Sequence, residues 1–199
     1  MAVAHILLAS ASPRRSALLT QIGVSHLIRP VVVDESPKNG EPPLDYVSRL
    51  AKEKARALWD ELPAKQRLPV LAADTVVALD NSLFGKPRSR ADGIAMLKRL
   101  AGRSHSVHSA VALIREGVLS VRVSSSRVSF RSIEHGELEQ YWNTGEPEGK
   151  AGGYAIQGRA AIFVTHLEGS YSGVMGLPLY ETWELLSSVI GPNQGKASS

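Results

Sequence analysis

The sequence predicts an α/β fold, a mixed central β-sheet flanked by helices, and two observations lead to it. Through the first half of the 199 residues, short apolar runs alternate with segments of helical periodicity; from Ser104 to Arg131 the pattern changes to apolar residues alternating with polar ones. The first order builds a sheet covered by helices, and the second adds antiparallel strands to it. A hydrophobic content of 43% is ample for a sizeable core. Because no internal repeat or interdomain linker interrupts the chain, one domain over 1–191 is expected, followed by a disordered tail at 192–199.

Ile6 to Ala9 has the length and composition of a buried strand. A helix should follow from about Ser12 to Ile22, with Ser12 as N-cap, Pro13 in the first helical position and Gly23 as C-cap. Pro30 to Gly40 reads mostly as loop. The next helix, about Leu44 to Trp59, sets Val47, Ala51, Lys54 and Leu58 on one stripe. Leu68 to Ala73 is a buried strand that Thr75 to Leu79 resumes, and Asp80-Asn81-Ser82 turns the chain toward Gly85-Lys86-Pro87. Ser89 and Asp92 then have the spacing of a capping box for a helix that ends before Gly102. Two strands joined near Glu116-Gly117 follow, then a short helix around Leu138, Tyr141 and Trp142 that stops at Gly145. Ile162 to Leu167 reads as a strand, Gly169 to Gly176 as a glycine-rich loop, and Leu177-Pro178 as the start of a last helix through Trp183 and Leu186 to Ile190.

Composition narrows the function. With no cysteine there is neither a disulfide nor a thiolate, and a cytoplasmic setting is expected. The opening apolar run is too short for a signal peptide and lacks a basic region before it, and no stretch approaches the roughly 20 apolar residues of a membrane span. A net charge of +4 is mild, the basic residues are spread out, and aromatics are only 6%, so a nucleic-acid partner is not expected. The six histidines show no metal-ligand spacing. No GxSxG, Walker or dinucleotide-binding glycine motif occurs.

Charged residues at the element junctions carry the chemistry. Arg14 and Arg15 fall in the first turn of a helix, where each cation opposes the helix dipole by about 0.3–1 kcal/mol unless something negative rests there. Small residues at Ser10, Ala11 and Ser12 would let an anion reach free backbone N–H groups, although a solvated arginine pair on a surface turn fits equally well. Asp74 ends the apolar run Val70 to Ala73, where a buried carboxylate needs a cation or a donor; it is either a turn cap or a catalytic acid. Lys54 either snorkels to solvent or presents its ammonium to an internal anion. Lys86 is an ordinary loop lysine or a phosphate ligand, and Asp34-Glu35 is a solvated acidic loop or a pair of hard oxygen ligands for Mg²⁺ or Mn²⁺. Together, cations to hold phosphates and acids to bind a metal or activate water are what phosphoanhydride hydrolysis requires.

LASASPRRSALL (Leu8 to Leu19), Asp34-Glu35, LAKEKA (Leu50 to Ala55), AADTVV (Ala72 to Val77), GKP (Gly85 to Pro87), KAGGYAIQG (Lys150 to Gly158) and GSYSGVMGLPLYET (Gly169 to Thr182) together resemble the Maf family. Its members are nucleoside triphosphate pyrophosphatases related in fold to the inosine triphosphate pyrophosphatases. The resemblance runs nearly end to end and implies cleavage between the α and β phosphates with a divalent metal, Mg²⁺ or Mn²⁺. By position it implies Asp74 as proton acceptor, with Glu35, Lys54 and Lys86 as the other catalytic charges and Asp74 and Glu35 as metal ligands. Ser10, Ser12, Arg14 and Arg15 would hold the triphosphate, Arg15 in part structurally, while Arg14, Thr75 and Gln157 would govern substrate choice. The surroundings of Gln157 look like the branch acting on dTTP and UTP, since a glutamine amide can accept from N3–H and donate to O4 of uracil or thymine. A homodimer is a further expectation from the family. Two other readings stay open: a pyrophosphatase for purine or modified nucleotides, and a nucleotide-binding regulator of cell division that needs no turnover.

Overall fold

The computed structural model of the chain describes residues 5–80, 82–187 and 189, so the predicted tail, Ile190 and Asn81 lie outside the described residues. Among these residues seven strands form one mixed sheet. They are β1 (Ile6–Leu8), β2 (His26–Ile28), β3 (Val70–Leu79), β4 (Ser82–Phe84), β5 (Ser104–Arg115), β6 (Val118–Phe130) and β7 (Val164–Glu168). Their order is β2-β1-β3-β5-β6-β7, with β4 paired to β3. β1 runs parallel to β2 and to β3, and the remaining pairs are antiparallel. Among the described residues six α-helices flank the sheet: α1 (Pro13–Gln21), α2 (Pro43–Glu61), α3 (Arg90–Leu100), α4 (His135–Trp142), α5 (Tyr171–Met175) and α6 (Leu179–Leu186).

Strand periodicity decides what each face meets, because alternate residues point to opposite sides. Val70, Ala72 and Val76 of β3 pack with Leu7 of β1 against Val47, Leu50 and Ala51 of α2. Leu71 and Ala73 pack instead with Ile6, Leu8, Leu18 and Leu19 of β1 and α1, and with Leu185 of α6. A third cluster joins Leu97 and Leu100 of α3 to Tyr141 of α4, Phe130 and Phe163. Both faces are covered, which is why β3 reads as a continuous apolar run. The β5–β6 hairpin turns at Glu116 and Gly117, both with positive φ (53° and 81°), as a two-residue turn matched to strand twist requires.

Several expectations need correction. β2 and β4, three residues each, were not anticipated; so short a strand carries no readable period. The predicted strand Ile162 to Leu167 starts later, at Val164, because Arg159–Phe163 forms a 3-10 turn. The loop Gly169 to Gly176 contains α5, whose N-terminus is capped by Ser170 Oγ accepting from Gly173 N–H at 3.0 Å. Ser12 occupies the N-cap position of α1 but its hydroxyl caps nothing; its own N–H donates to Ser10 Oγ at 3.1 Å. The capping box of α3 is half made: Ser89 Oγ accepts from Asp92 N–H, while the Asp92 carboxylate accepts from Arg88 N–H.

Candidate active site

The side-chain alternation of β3 splits Asp74 from Thr75. Asp74 continues the face of Val70 and Ala72 toward α2, where the buried stripe of that helix includes Lys54. Lys54 Nζ donates to Asp74 Oδ1 at 2.7 Å and to Glu35 Oε1 at 2.6 Å, so it does not snorkel to solvent. Two buried charges thus neutralise each other with short charge-assisted bonds, the condition under which either can stay inside. Lys86 Nζ reaches the other Glu35 oxygen at 3.3 Å. Burial pushes the Glu35 carboxyl upward, but the bonds and charges of Lys54 and Lys86 outweigh it and hold it below the usual carboxylate range. Tyr46 Oη, donating to the Glu35 carbonyl at 2.9 Å, fixes the loop that carries the acid. Burial first, then the nearby Asp74 and Glu35 charges, pushes that phenol up to about 12. Asp34, by contrast, is exposed and accepts from Ser36 N–H at 2.9 Å in a local turn.

Thr75 faces the other way, toward α5. Ser109 Oγ gives its one proton to the Gly173 carbonyl at 2.6 Å, so Thr75 is the donor in the 2.7 Å pair between the two hydroxyls. Arg14 Nε donates to the Met175 carbonyl at 3.2 Å, and Arg15 Nε to the Gly176 carbonyl at 2.8 Å. Arg15 also reaches Ser10 Oγ at 3.2 Å. Desolvation lowers the affinity of both guanidinium groups for their proton; at Arg15 the Asp74 and Glu35 charges work against that, and Arg14 adds to it.

These groups line one cavity of about 650 Å³, within the range usual for small-molecule sites. Ser10, Ser12, Arg14, Arg15, Glu35, Lys54, Asp74, Thr75, Lys86 and Gln157 all contribute to its wall. Lys150 lines it too, a cation to which sequence reasoning gave no role although it opens the KAGGYAIQG segment. Its proton is held less tightly than usual because of burial and the neighbouring Arg14. Ser109 was also missed; a serine within an alternating strand gives no signal of the helix it will bind. The lining holds five cationic side chains (Arg14, Arg15, Lys54, Lys86, Lys150) against three carboxylates (Glu35, Asp74, Glu148). That surplus, concentrated in a concave site, attracts an anion of multiple charge.

An α/β sheet carrying a cationic cavity with an acid–lysine–acid bridge at its base defines a class of protein that handles phosphorylated small molecules. The chain belongs to the Maf-like protein family, whose pattern matches residues 5–189. It is 55% identical to a dTTP/UTP pyrophosphatase of Alkalilimnicola ehrlichii, over 92% of this chain and 91% of that one. It is 51% identical to a dTTP/UTP pyrophosphatase of Bordetella pertussis, over 92% of each. Among solved structures it is similar to the Ham1 protein of Staphylococcus aureus, with a TM-score of 0.43 and 15% identity over 63% of this chain and 71% of that one.

Proposed function

We propose that this protein hydrolyses dTTP and UTP to the nucleoside monophosphate and pyrophosphate, clearing the cytoplasmic nucleotide pool. The observation that carries the reading is Lys54 clamped between Asp74 and Glu35 inside a cavity with surplus positive charge; the relatives named dTTP/UTP pyrophosphatase support it.

In this mechanism Arg14, Lys86 and Lys150 hold the triphosphate oxygens, where fixed cations stabilise developing charge. Lys54 keeps one Asp74 oxygen engaged and so orients the carboxylate. Asp74 accepts a proton from the attacking water, whose oxygen bonds to the α-phosphorus as the bond from that phosphorus to the bridging oxygen breaks. Pyrophosphate leaves with the bridging oxygen. Gln157 reads the base edge, accepting from N3–H and donating to O4.

A divalent cation suits this donor set. Asp74 commits one oxygen to Lys54 and keeps the other, whereas Glu35 has one oxygen on Lys54 and the second in a longer 3.3 Å contact with Lys86 that a cation would have to displace. Mg²⁺ or Mn²⁺ is commonly held by one or two carboxylates with substrate phosphates and waters completing its shell. No group of three or more histidine, aspartate or glutamate ligands exists among the described residues, so phosphate oxygens would have to supply the rest. When bound by Glu35 and Asp74, the ion would offset charge on the phosphate oxygens.

A panel of canonical and modified nucleoside triphosphates, with Mg²⁺ or Mn²⁺ and scored for pyrophosphate, tests the reading. Pyrophosphate should appear fastest from dTTP and UTP. Release of orthophosphate instead, or tight binding without turnover, overturns it.

A further inference from the structure

The backbone around Gln157 is gripped from behind by two side chains that line no part of the cavity. Tyr141, in the last turn of α4, is almost fully buried. Its hydroxyl donates to Glu146 Oε1 at 2.7 Å and accepts from Ala155 N–H at 3.2 Å. The Glu146 carboxylate then accepts from Arg159 N–H at 2.9 Å through Oε2 and from Ala160 N–H at 3.3 Å through Oε1. Between these anchors the chain folds back on itself, Gly158 N–H donating to the Ala155 carbonyl at 3.0 Å, and Gln157 stands exposed at the cavity wall. A Cβ at Gly158 would lie 2.1 Å from Glu146 Oε2, so the carboxylate fits only because that position has no side chain. Burial opposes an ionised Glu146, yet the Tyr141 hydroxyl and the two backbone donors hold it below the usual carboxylate range.

We infer that Tyr141 and Glu146 are positioning residues for base selection: by fixing the backbone on both sides of Gln157 they set where its amide meets the pyrimidine. This rests on the role given to Gln157 above. The pair supplies acceptors to three backbone N–H groups within six residues, and those groups flank the one side chain proposed to read the base. Glu146→Gln would place an amide NH₂ against a backbone N–H whichever way it turned, since both oxygens already accept from the backbone or the phenol. The turn would then shift, and a displacement on the order of 1 Å in a positioning group can cost about 100-fold.

The test compares Glu146→Gln, Tyr141→Phe and Gln157→Ala by their kcat/KM for dTTP, UTP and GTP. In Glu146→Gln and Tyr141→Phe the values for dTTP and UTP should fall by about 10- to 100-fold, chiefly through KM. The kcat/KM for GTP should stay within about twofold of the wild-type value, so the pyrimidine-to-purine ratio collapses. A merely structural role would lower every substrate together, with the loss of folded protein, and leave that ratio intact; this outcome overturns the inference. If Gln157→Ala collapses the ratio while the other two keep it, the inference fails and the Gln157 reading stands. If Gln157→Ala itself keeps the ratio, the reading fails and the inference with it. Should Glu146→Gln not fold, Tyr141→Phe carries the same comparison.

Discussion

Acid should destabilise this protein through one buried imidazole. His105 lies inside β5, only 3% exposed, with Nε2 paired to Tyr154 Oη at 2.8 Å and the Phe130 ring edge-on at 4.9 Å. Its Nδ1 is buried with no partner. A charged imidazolium donates from both nitrogens and would find only one acceptor, so burial drives the pKa down to about 4 from an ordinary 6.5. Each tenfold change in proton affinity is worth about 1.4 kcal/mol, which makes the difference about 3 kcal/mol. The sign follows from which state binds the proton. Below pH 6.5 the unfolded chain takes up a proton that the folded chain refuses until about pH 4, so stability is complete above 6.5 and is lost as pH falls to 4. Urea denaturation from pH 7.5 to pH 4 measures this, with His105→Phe subtracting the contributions of half-buried His108 and of Glu41 and Glu137, whose carboxyls are held near 2 by Arg49 and Arg131. The stability gap between wild type and variant should narrow by about 3 kcal/mol over that range. A gap constant with pH, or a His105 proton resonance titrating near 6.5, would refute the reasoning.

Three further outcomes are expected. Asp74→Asn should lower kcat by at least about 100-fold, the usual size of a general-base contribution, in a pyrophosphate-release assay at saturating dTTP; near-normal turnover would remove Asp74 as proton acceptor. Lys54→Met leaves buried Asp74 without its cation and should cost about 3–5 kcal/mol in urea denaturation at pH 7, whereas a loss under 1 kcal/mol would mean that the bridge does not hold the acid. Gly93→Ala drives a Cβ to 1.9 Å from the Trp142 ring and should destabilise by about 1–3 kcal/mol as α3 is pushed off α4, with Trp142→Leu in the same chain recovering most of the loss in thermal unfolding.

How far the sequence could be read depends on whether a signal is periodic. β3 is long enough for its apolar run to show, and its two-residue period already sets Asp74 and Thr75 on opposite faces. α2 likewise places Lys54 on the stripe of Val47, Ala51 and Leu58, all of them buried. That both residues point inward was therefore legible; that they meet was not, since contact depends on the register of α2 against β3, which no local pattern encodes. Short elements failed for a related reason. Five-residue α5 holds a single buried residue, Gly173, and its identity as a helix rests on the Ser170 cap and the Gly176 terminus rather than on any stripe. Lys150 was missed because a lysine before glycines looks like any loop lysine until Arg14 is found beside it.

The arginine pair at the start of α1 is answered within the protein itself. Two cations in a first helical turn oppose the dipole of their own helix, which leaves an external anion and a solvated surface pair equally open from sequence. The protein supplies a partner of its own: Arg14 and Arg15 donate to the carbonyls of Met175 and Gly176, at the negative end of α5, where a cation gains about what it loses at α1. The dipole is thus answered internally, across 161 residues of chain, and asks for no ligand. What does ask for one is the excess of five cations over three carboxylates around the cavity, which those two carbonyls reduce only as dipoles and leave uncompensated in charge. Fixing the arginines on α5 also means that the segment from Ser170 to Gly176 must be in place before they stand correctly. Loss of the Ser170 cap would therefore be felt where Arg14 and Arg15 line the cavity, although Ser170 itself lines none of it.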